Sequence, residues 1–492
     1  LYEDADSEIP NPPKGSTPRA VWQHVARLEN LPERVPYRVT SVTESGETFT
    51  SGTFTVAPPP APGQPARYLL TSDHQLKPNV AANLQKVVET VGRVDGVLFA
   101  GDAANVAGRA SEWFDHPRGF FPCLQGRAQS EVSSTIYRGG PILQHAPIFA
   151  APGNHDMMGR HNDGLPVAER RDNAQPRDVA KRRYAAYADF FNPAGDPAVK
   201  ARWIEDNTWN WRVYDAIFGA PGRFYHIELG DLYLIVLNVT RIWRPYSPAG
   251  DQRGKYAERI EDLHKPDNWG WGDFILEDIA AGSAQHTWLK GQLESEAFKR
   301  AKYKIVMMHH PVHGLGGNSI PAFAHPIQSI DRGTDGRVTA IRYEYPLEED
   351  IFVRDVEPLL EAAGVQMIYT GHAHVWGHLR TAAGLHYLES SNVGNGYGCY
   401  LEGYAERHSG PYGDNRFNPA NYPKTGDPHG LDPIPPSIRA PMHYPDGRPL
   451  PAVGSSDLTV FSILEAGTVS SYYFDVTAPD SDVIKFDTFT IA

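Results

Sequence analysis

Five short apolar runs in this chain end in the same way, and no other feature restricts its fold as tightly. Tyr68-Leu69-Leu70-Thr71 runs into Ser72-Asp73-His74-Gln75, Val97-Leu98-Phe99-Ala100 into Gly101-Asp102, and Pro147-Ile148-Phe149-Ala150 is followed by Gly153-Asn154-His155-Asp156. Further on, Ile305-Val306-Met307-Met308 meets His309-His310-Pro311, and the run from Val365 to Thr370 meets Gly371-His372-Ala373-His374. Uninterrupted apolar runs this short read as strands buried on both faces. Open α/β sheets gather their ligands at the carboxyl ends of such strands, so the Asp, Asn and His side chains that follow them are the candidate chemistry.

The segments between the runs fit that frame. Asn79 to Gly92 carries Leu84, Val87, Val88 and Val91 at helical spacing, with Asn79 in N-cap position, and makes strand, helix, strand with its neighbours. Ala284 to Lys302 and Val356 to Ala363 are predicted helices. Phe224 to Glu228 and Leu232 to Leu237 flank Gly230-Asp231 as a hairpin. Leu458 to Ile463, Val469 to Phe474 and Val483 to Ile491 are three closing strands, expected to complete the second sheet. Residues 103–146, 157–222 and 241–282 are insertions. In the second, the basic run from Arg160 to Tyr184 reads as a solvated face from which one arginine could reach an anion. In the third, Trp243, Trp269 and Trp271 read as rings packed by their own loop. Residues 401–456, rich in Gly, Pro, Asn and Tyr, form either a lid or an irregular surface belt.

Residues 1–65 are a separate β-rich segment. Val21 to Leu28 alternates as a strand does, and Pro36 to Val42 and Glu47 to Val56 read as strands around a Glu44-Ser45-Gly46 turn. The proline-rich stretch Ala57 to Gly63 is a semi-rigid linker, leaving 66–492 as the principal domain. Over 492 residues, 41% hydrophobic and 21% charged side chains mark a globular chain. No apolar run approaches the ~18 residues that span a bilayer. A formal charge of -13 opposes a broad nucleic-acid-binding face, because a polyanion needs a basic surface. Cys123 and Cys399 are too few for a cysteine metal site and could equally form one bridge or two buried thiols. A chain starting at Leu1 without an initiator Met is expected of an exported form, secreted or periplasmic. Asn238-Val239-Thr240 fits a glycosylation sequon.

Taken in order, SD, GD, GNHD, HxP and GHxH, each after a strand, make residues 66 to about 400 resemble the calcineurin-like metallophosphoesterase superfamily. Leu31-Pro32 with Tyr37-Arg38-Val39 is similar to the end of the fibronectin-III-like domain that precedes the catalytic domain in its purple acid phosphatase-like branch. The resemblance implies a four-layer α/β/β/α sandwich behind a short β-rich module. That module is shorter than the roughly 100 residues of a complete fibronectin-like sandwich. It also implies a dinuclear metal centre, with Asp102 as bridge, Asp73 and His374 on the first ion, and Asn154, His309 and His372 on the second. His155 would contact the substrate phosphate or protonate the leaving group, steadied by Asp156, and His310 and His313 are further candidates to face the substrate. The implied reaction is hydrolysis of a small phosphate monoester by a metal-bridging hydroxide. The alternatives are a phosphodiesterase or nucleotidase, or a non-catalytic surface or structural protein of the same fold.

Two positions depart from the family pattern. Where most of the superfamily reads D-x-H, this chain has Asp73-His74-Gln75, and by strand alternation Gln75 shares the Asp73 face. Purple acid phosphatases carry GDxxY, but Gly101-Asp102-Ala103-Ala104-Asn105 puts Asn105 at the tyrosine position. Gln75 and Asn105 are therefore candidate ligands of a weaker kind. Such a first site suits Mn²⁺, Mg²⁺ or Ca²⁺, and the His-rich second site suits Zn²⁺, Fe or Mn²⁺. Without the tyrosine, iron-loaded protein should lack a tyrosinate-to-iron(III) colour; a visible charge-transfer band would contradict this.

Overall fold

The structure, a computed structural model, describes residues 1–4, 16–158, 177–186, 188–206, 208–241, 257–266, 269, 271–273, 275–317, 322–394, 396–406 and 423–491. Most of the basic run after Arg160, Trp243 and part of the 401–456 belt lie outside them.

The first three apolar runs become parallel strands β1 (Arg67–Thr71), β2 (Gly96–Phe99) and β3 (Ile148–Ala150), side by side in the order β3-β2-β1. The helix Val80–Val91 joins β1 to β2, and Gly92, at φ 69°, closes it in the left-handed region that a side chain disfavours. Asn79 occupies the cap position, yet its amide donates to Ser456 O (2.8 Å) instead of capping, because the closing segment passes close by.

A second sheet is built from β4 (Tyr225–Leu229), β5 (Leu232–Val236), β6 (Tyr303–Met307), β7 (Met367–Thr370), β8 (Trp376–Arg380), β9 (His386–Ser390) and β10 (Ala452–Val453). Its spatial order is β4-β5-β6-β7-β9-β8-β10, with β5, β6, β7 and β9 mutually parallel. The hairpin around Gly230-Asp231 is present, and β10 makes the end of the 401–456 belt an edge strand. The single helix expected from Ala284 to Lys302 is two, Ala284–Leu293 and Glu296–Arg300. Ser283 and Ser295 cap them by accepting the His286 and Phe298 N–H.

The closing strands β11 (Leu458–Glu465), β12 (Thr468–Asp475) and β13 (Ile484–Thr490) join the first sheet, not the second as expected from sequence. β11 pairs antiparallel with β1. The reason is an edge: β1 is buried and β2 occupies only one of its sides, so its remaining backbone groups need a partner.

Side-chain alternation then sorts the core into layers. Leu70, Leu98, Leu234, Ile305, Tyr369 and Leu388 meet between the sheets. Leu69, Val97 and Phe99 face the other way, onto Leu84 and Val87 of the first helix. Ile235, Val306 and Ile368 face Leu289, Phe298 and Leu360 of the helices behind the second sheet. The architecture is helix, sheet, sheet, helix.

In front, Val35–Tyr37 pairs with Phe54–Val56, and Thr40–Val42 pairs with Thr48–Thr50 around a turn closed by Gly46. Val21 to Leu28 is irregular and not the strand its alternation suggested, with Trp22 84% and Val25 82% exposed. Alternation produces a strand only when a partner buries one face, and no described segment does so here. No described helix is long and apolar enough to cross a membrane. Leu234→Ala, in the layer between the sheets, should cost about 2–5 kcal/mol in urea unfolding; a loss under about 1 kcal/mol would show that this layer is not tightly packed.

Candidate metal centre

The parallel strands end on a common edge, and the residues that follow them meet there. Asp73, Asp102, His309, His310, His372 and His374 are each at most 3% exposed, and Asn154 is 5% exposed. Close backbone approach requires glycine at two of the turns: a Cβ on Gly153 would collide with the Asp102 carboxylate, and one on Gly371 with Asp73 and Ser72. Asp73, Gln75, Asp102, His372 and His374 all adopt positive φ, between 38° and 78°. That conformation costs about 1–3 kcal/mol for each non-glycine residue, and strain of this kind concentrates at functional sites.

Three kinds of ligand group converge: carboxylate, amide oxygen and imidazole. His309 Nδ1–H donates to Ala100 O (2.7 Å), which directs Nε2 toward Asn154 Oδ1 (3.0 Å) and Asp102 Oδ2 (3.3 Å). Asp73 Oδ2 accepts the His372 N–H (2.8 Å) and the Ser72 hydroxyl (2.6 Å), while its Oδ1 accepts no hydrogen bond and lies 3.4 Å from His374 Nε2. The ligand atoms of Asp73, Asp102 and His309 lie within 4.8 Å of one another, as do ring nitrogens of His309, His310 and His372. A buried carboxylate oxygen without a donor, facing imidazole nitrogens, is stable only if a cation or proton lies among them. These residues therefore fit a metal.

The same electrostatics act on protons. Burial alone would lower the pKa of His309, but Asp102 raises it to about 10. Burial would raise Asp102, but His309 and His155 hold it well below the ordinary carboxylate range. Each group demands a positive charge beside the carboxylate.

Several residues singled out from the sequence take different positions from those expected. Gln75 reaches the centre, where its Nε2 donates to Asp102 Oδ2 (2.6 Å) and orients that carboxylate. The Asn105 backbone carbonyl accepts the His155 Nδ1–H (2.6 Å). The Asp156 carboxylate does not steady the His155 ring as expected. It accepts the N–H groups of Gly153 (2.8 Å), Asp102 (2.8 Å) and Ala103 (3.0 Å), lacing the Asp102 and Asn154 loops together. Burial, then the nearby Asp102 charge, raises its pKa to about 7. His310, expected to face substrate, lies with its ring 4.0 Å from that of His372, within the histidine group. His74 points into the core against Phe99 and Phe120, and burial lowers its pKa to about 3.

Sequence reasoning missed Glu389. Glu389, on β9, donates no motif letter, but its Oε1 accepts the Ala373 N–H (2.8 Å) between two of the histidines. Asn238 follows β5 and is fully buried, with neither side-chain atom hydrogen-bonded, so it is not a glycosylation acceptor.

The family profile for calcineurin-like phosphoesterases matches residues 66–376. No curated protein matches the chain. Among solved structures, the chain is similar to a purple acid phosphatase from yellow lupin (Lupinus luteus) seeds. Identity is 14%, coverage is 94% of this chain and 60% of the lupin chain, and the TM-score is 0.45. A dimetal phosphatase from Danio rerio matches at 11% identity over 87% of this chain and 99% of that one, TM-score 0.35. GAP50, described as the anchor in the inner membrane complex of Plasmodium, matches at 10% identity over 87% and 90%, TM-score 0.34.

Elsewhere, Trp269 and Trp271 pack edge to face (5.1 Å), as expected of a loop covering itself, and Cys123 and Cys399 are both free buried thiols. His313 is not at the centre. Its Nδ1 meets Asp427 Oδ2 (2.8 Å) and its Nε2 meets Glu357 Oε2 (3.0 Å), which ties the 401–456 belt to the helix behind the second sheet. Burial alone would lower its pKa, but the two carboxylates raise it to about 9. A raised pKa contributes stability that is complete below the unfolded value of about 6.5 and lost as pH rises through the folded one. Thermal stability should accordingly fall between about pH 6.5 and pH 9 in the native chain and less steeply in His313→Gln; equal slopes in the two proteins would refute it.

Proposed function

Because the chain belongs to the calcineurin-like phosphoesterase family, a family of metal-dependent phosphoesterases, we propose that it hydrolyses phosphate monoesters by direct transfer to water at a two-cation centre. The observation that carries this reading is the buried convergence of Asp73, Asp102, Asn154, His309, His372 and His374, with Asp73 Oδ1 lacking any hydrogen bond. Asp73 and His374 would hold one cation, Asn154, His309 and His372 the other, and Asp102 both. His310 stands close enough to His309 and His372 to add a third imidazole to the second site. A cation pair bound there makes water a stronger nucleophile at neutral pH and neutralises charge on the phosphoryl group.

The chain's own residues do the rest. Gln75 fixes the Asp102 carboxylate, and Asp156 fixes the loop that carries Asn154 and His155. His155 is half-buried, and its Nδ1–H donates to the Asn105 carbonyl (2.6 Å), which fixes the ring; in this reading the ring exchanges a proton with the leaving oxygen. Where a histidine or tyrosine would be in relatives of the kind the sequence resembles, this chain has the neutral amides Gln75 and Asn105, which favours a loosely held first cation.

Metal analysis after supplementation with Mn²⁺ or Zn²⁺ should find two ions per chain, and none would favour a non-catalytic protein of this fold. A chromogenic phosphate monoester should turn over faster than the matching diester; the reverse order would move the reading to a phosphodiesterase. Asp102→Ala should lower kcat/KM by several orders of magnitude while leaving the circular dichroism spectrum unchanged.

A further inference from the structure

We infer that Glu389 is a positioning residue of the metal centre, holding the His372-Ala373-His374 loop in its ligating conformation through the Ala373 N–H. The inference rests on the cation-binding reading above and names a residue outside every recognisable motif.

The loop is strained at both histidines, with His372 at φ 78° and His374 at φ 58°. A side chain in the left-handed region drifts back unless neighbouring groups fix its backbone. Two carboxylates do so here, one from each sheet. Asp73 accepts the His372 N–H (2.8 Å), and Glu389 accepts the Ala373 N–H (2.8 Å), a donor shared with Gly371 O at 3.1 Å. Asp73 is itself a candidate ligand, so Glu389 is the pin that a bound cation would not draw away.

Its position suits the task. Glu389 lies opposite Thr370 in the ladder between β7 and β9, where the chain leaves the sheet to form the loop. Where the chain returns, Ser391 N–H donates to Val375 O (3.0 Å) and the Val375 N–H to Ser391 Oγ (3.1 Å). The Ser391 hydroxyl also donates to Glu389 Oε1 (2.7 Å). One short stretch at the end of β9, Glu389 to Ser391, thus holds the loop's entry, middle and exit.

The acid is costly where it stands. Glu389 is 5% exposed, and its Oε2 is buried with no hydrogen-bond partner, near the segment that carries His309. An apolar side chain on this buried strand would avoid that desolvation penalty. A residue kept only for stability would not be a carboxylic acid with one oxygen unsatisfied; the contact it does make is with the ligand loop.

Two variants separate position from stability and from charge. Glu389→Leu keeps the bulk, removes the acceptor and should fold at least as stably as the native chain. Glu389→Gln keeps an acceptor for Ala373 and removes the ionisable group. Titration with Mn²⁺ by calorimetry should show about 10–100-fold weaker binding in Glu389→Leu, with an undiminished melting temperature, and recovery to within about threefold of native in Glu389→Gln. Native affinity in the Leu variant would overturn the inference, as would a Gln variant as weak as Leu, which would assign the effect to charge. The native chain is titrated first. If it takes up no cation, the functional reading fails and takes this inference with it, whereas cation uptake with an unaffected Leu variant defeats the inference alone.

Discussion

A carboxylate removed from water must find positive charge, and Asp102 at 1% exposure is the clearest case in this molecule. It accepts the His155 N–H (2.8 Å) and the Gln75 amide (2.6 Å), and faces His309 Nε2 at 3.3 Å. Three separate loops are therefore fixed relative to one another by the need to satisfy one buried side chain. Asp73 repeats the pattern on the neighbouring strand and draws in the loop of His372 and His374. The backbone yields to this requirement, accepting positive φ at five of these residues and glycine where two loops nearly touch.

The sheets make that arrangement possible. Parallel strands deliver their carboxyl ends to one edge, and two facing sheets bring two such edges together across an apolar layer. Had the strands been antiparallel, the Asp and His residues would have alternated between the two ends. The antiparallel strands that are present, β4, β8 and β11 to β13, extend the sheets without carrying any of the motif residues. The apolar layer beneath the centre also excludes water, which strengthens every interaction between charges above it.

Histidine shows how far environment overrides residue type. His74 lies against Phe99 and Phe120, and burial lowers its pKa to about 3. His313, also buried, is held between Asp427 and Glu357, which raise it to about 9. His309 differs again, because its partner Asp102 belongs to a site able to exchange the proton for a metal. Three buried imidazoles thus have three roles: core packing, a charged tie between belt and helix, and a candidate ligand.

The sequence by itself determined the core strands that carry the motifs, though not the one suggested at Val21 to Leu28, and the order of the polar residues at their ends, because both are local: an apolar run closes into a strand, and the next residues must turn. It also singled out Gln75 rather than His74 for the site, and Gln75 does reach Asp102 while His74 enters the core, although Asp73 and Gln75 lie beyond the strand at positive φ, where strand alternation no longer applies. Tertiary structure alone decided what each side chain meets. It sent the closing strands to the first sheet, turned Asp156 toward three backbone amides, carried His313 away to Asp427, and brought Glu389 under the histidine loop. Asp427 lies 114 residues from His313, and Glu389 16 from Ala373. A hydrogen bond is set by distance and direction in space, and neither is written in the spacing of residues along a chain that folds back across two sheets.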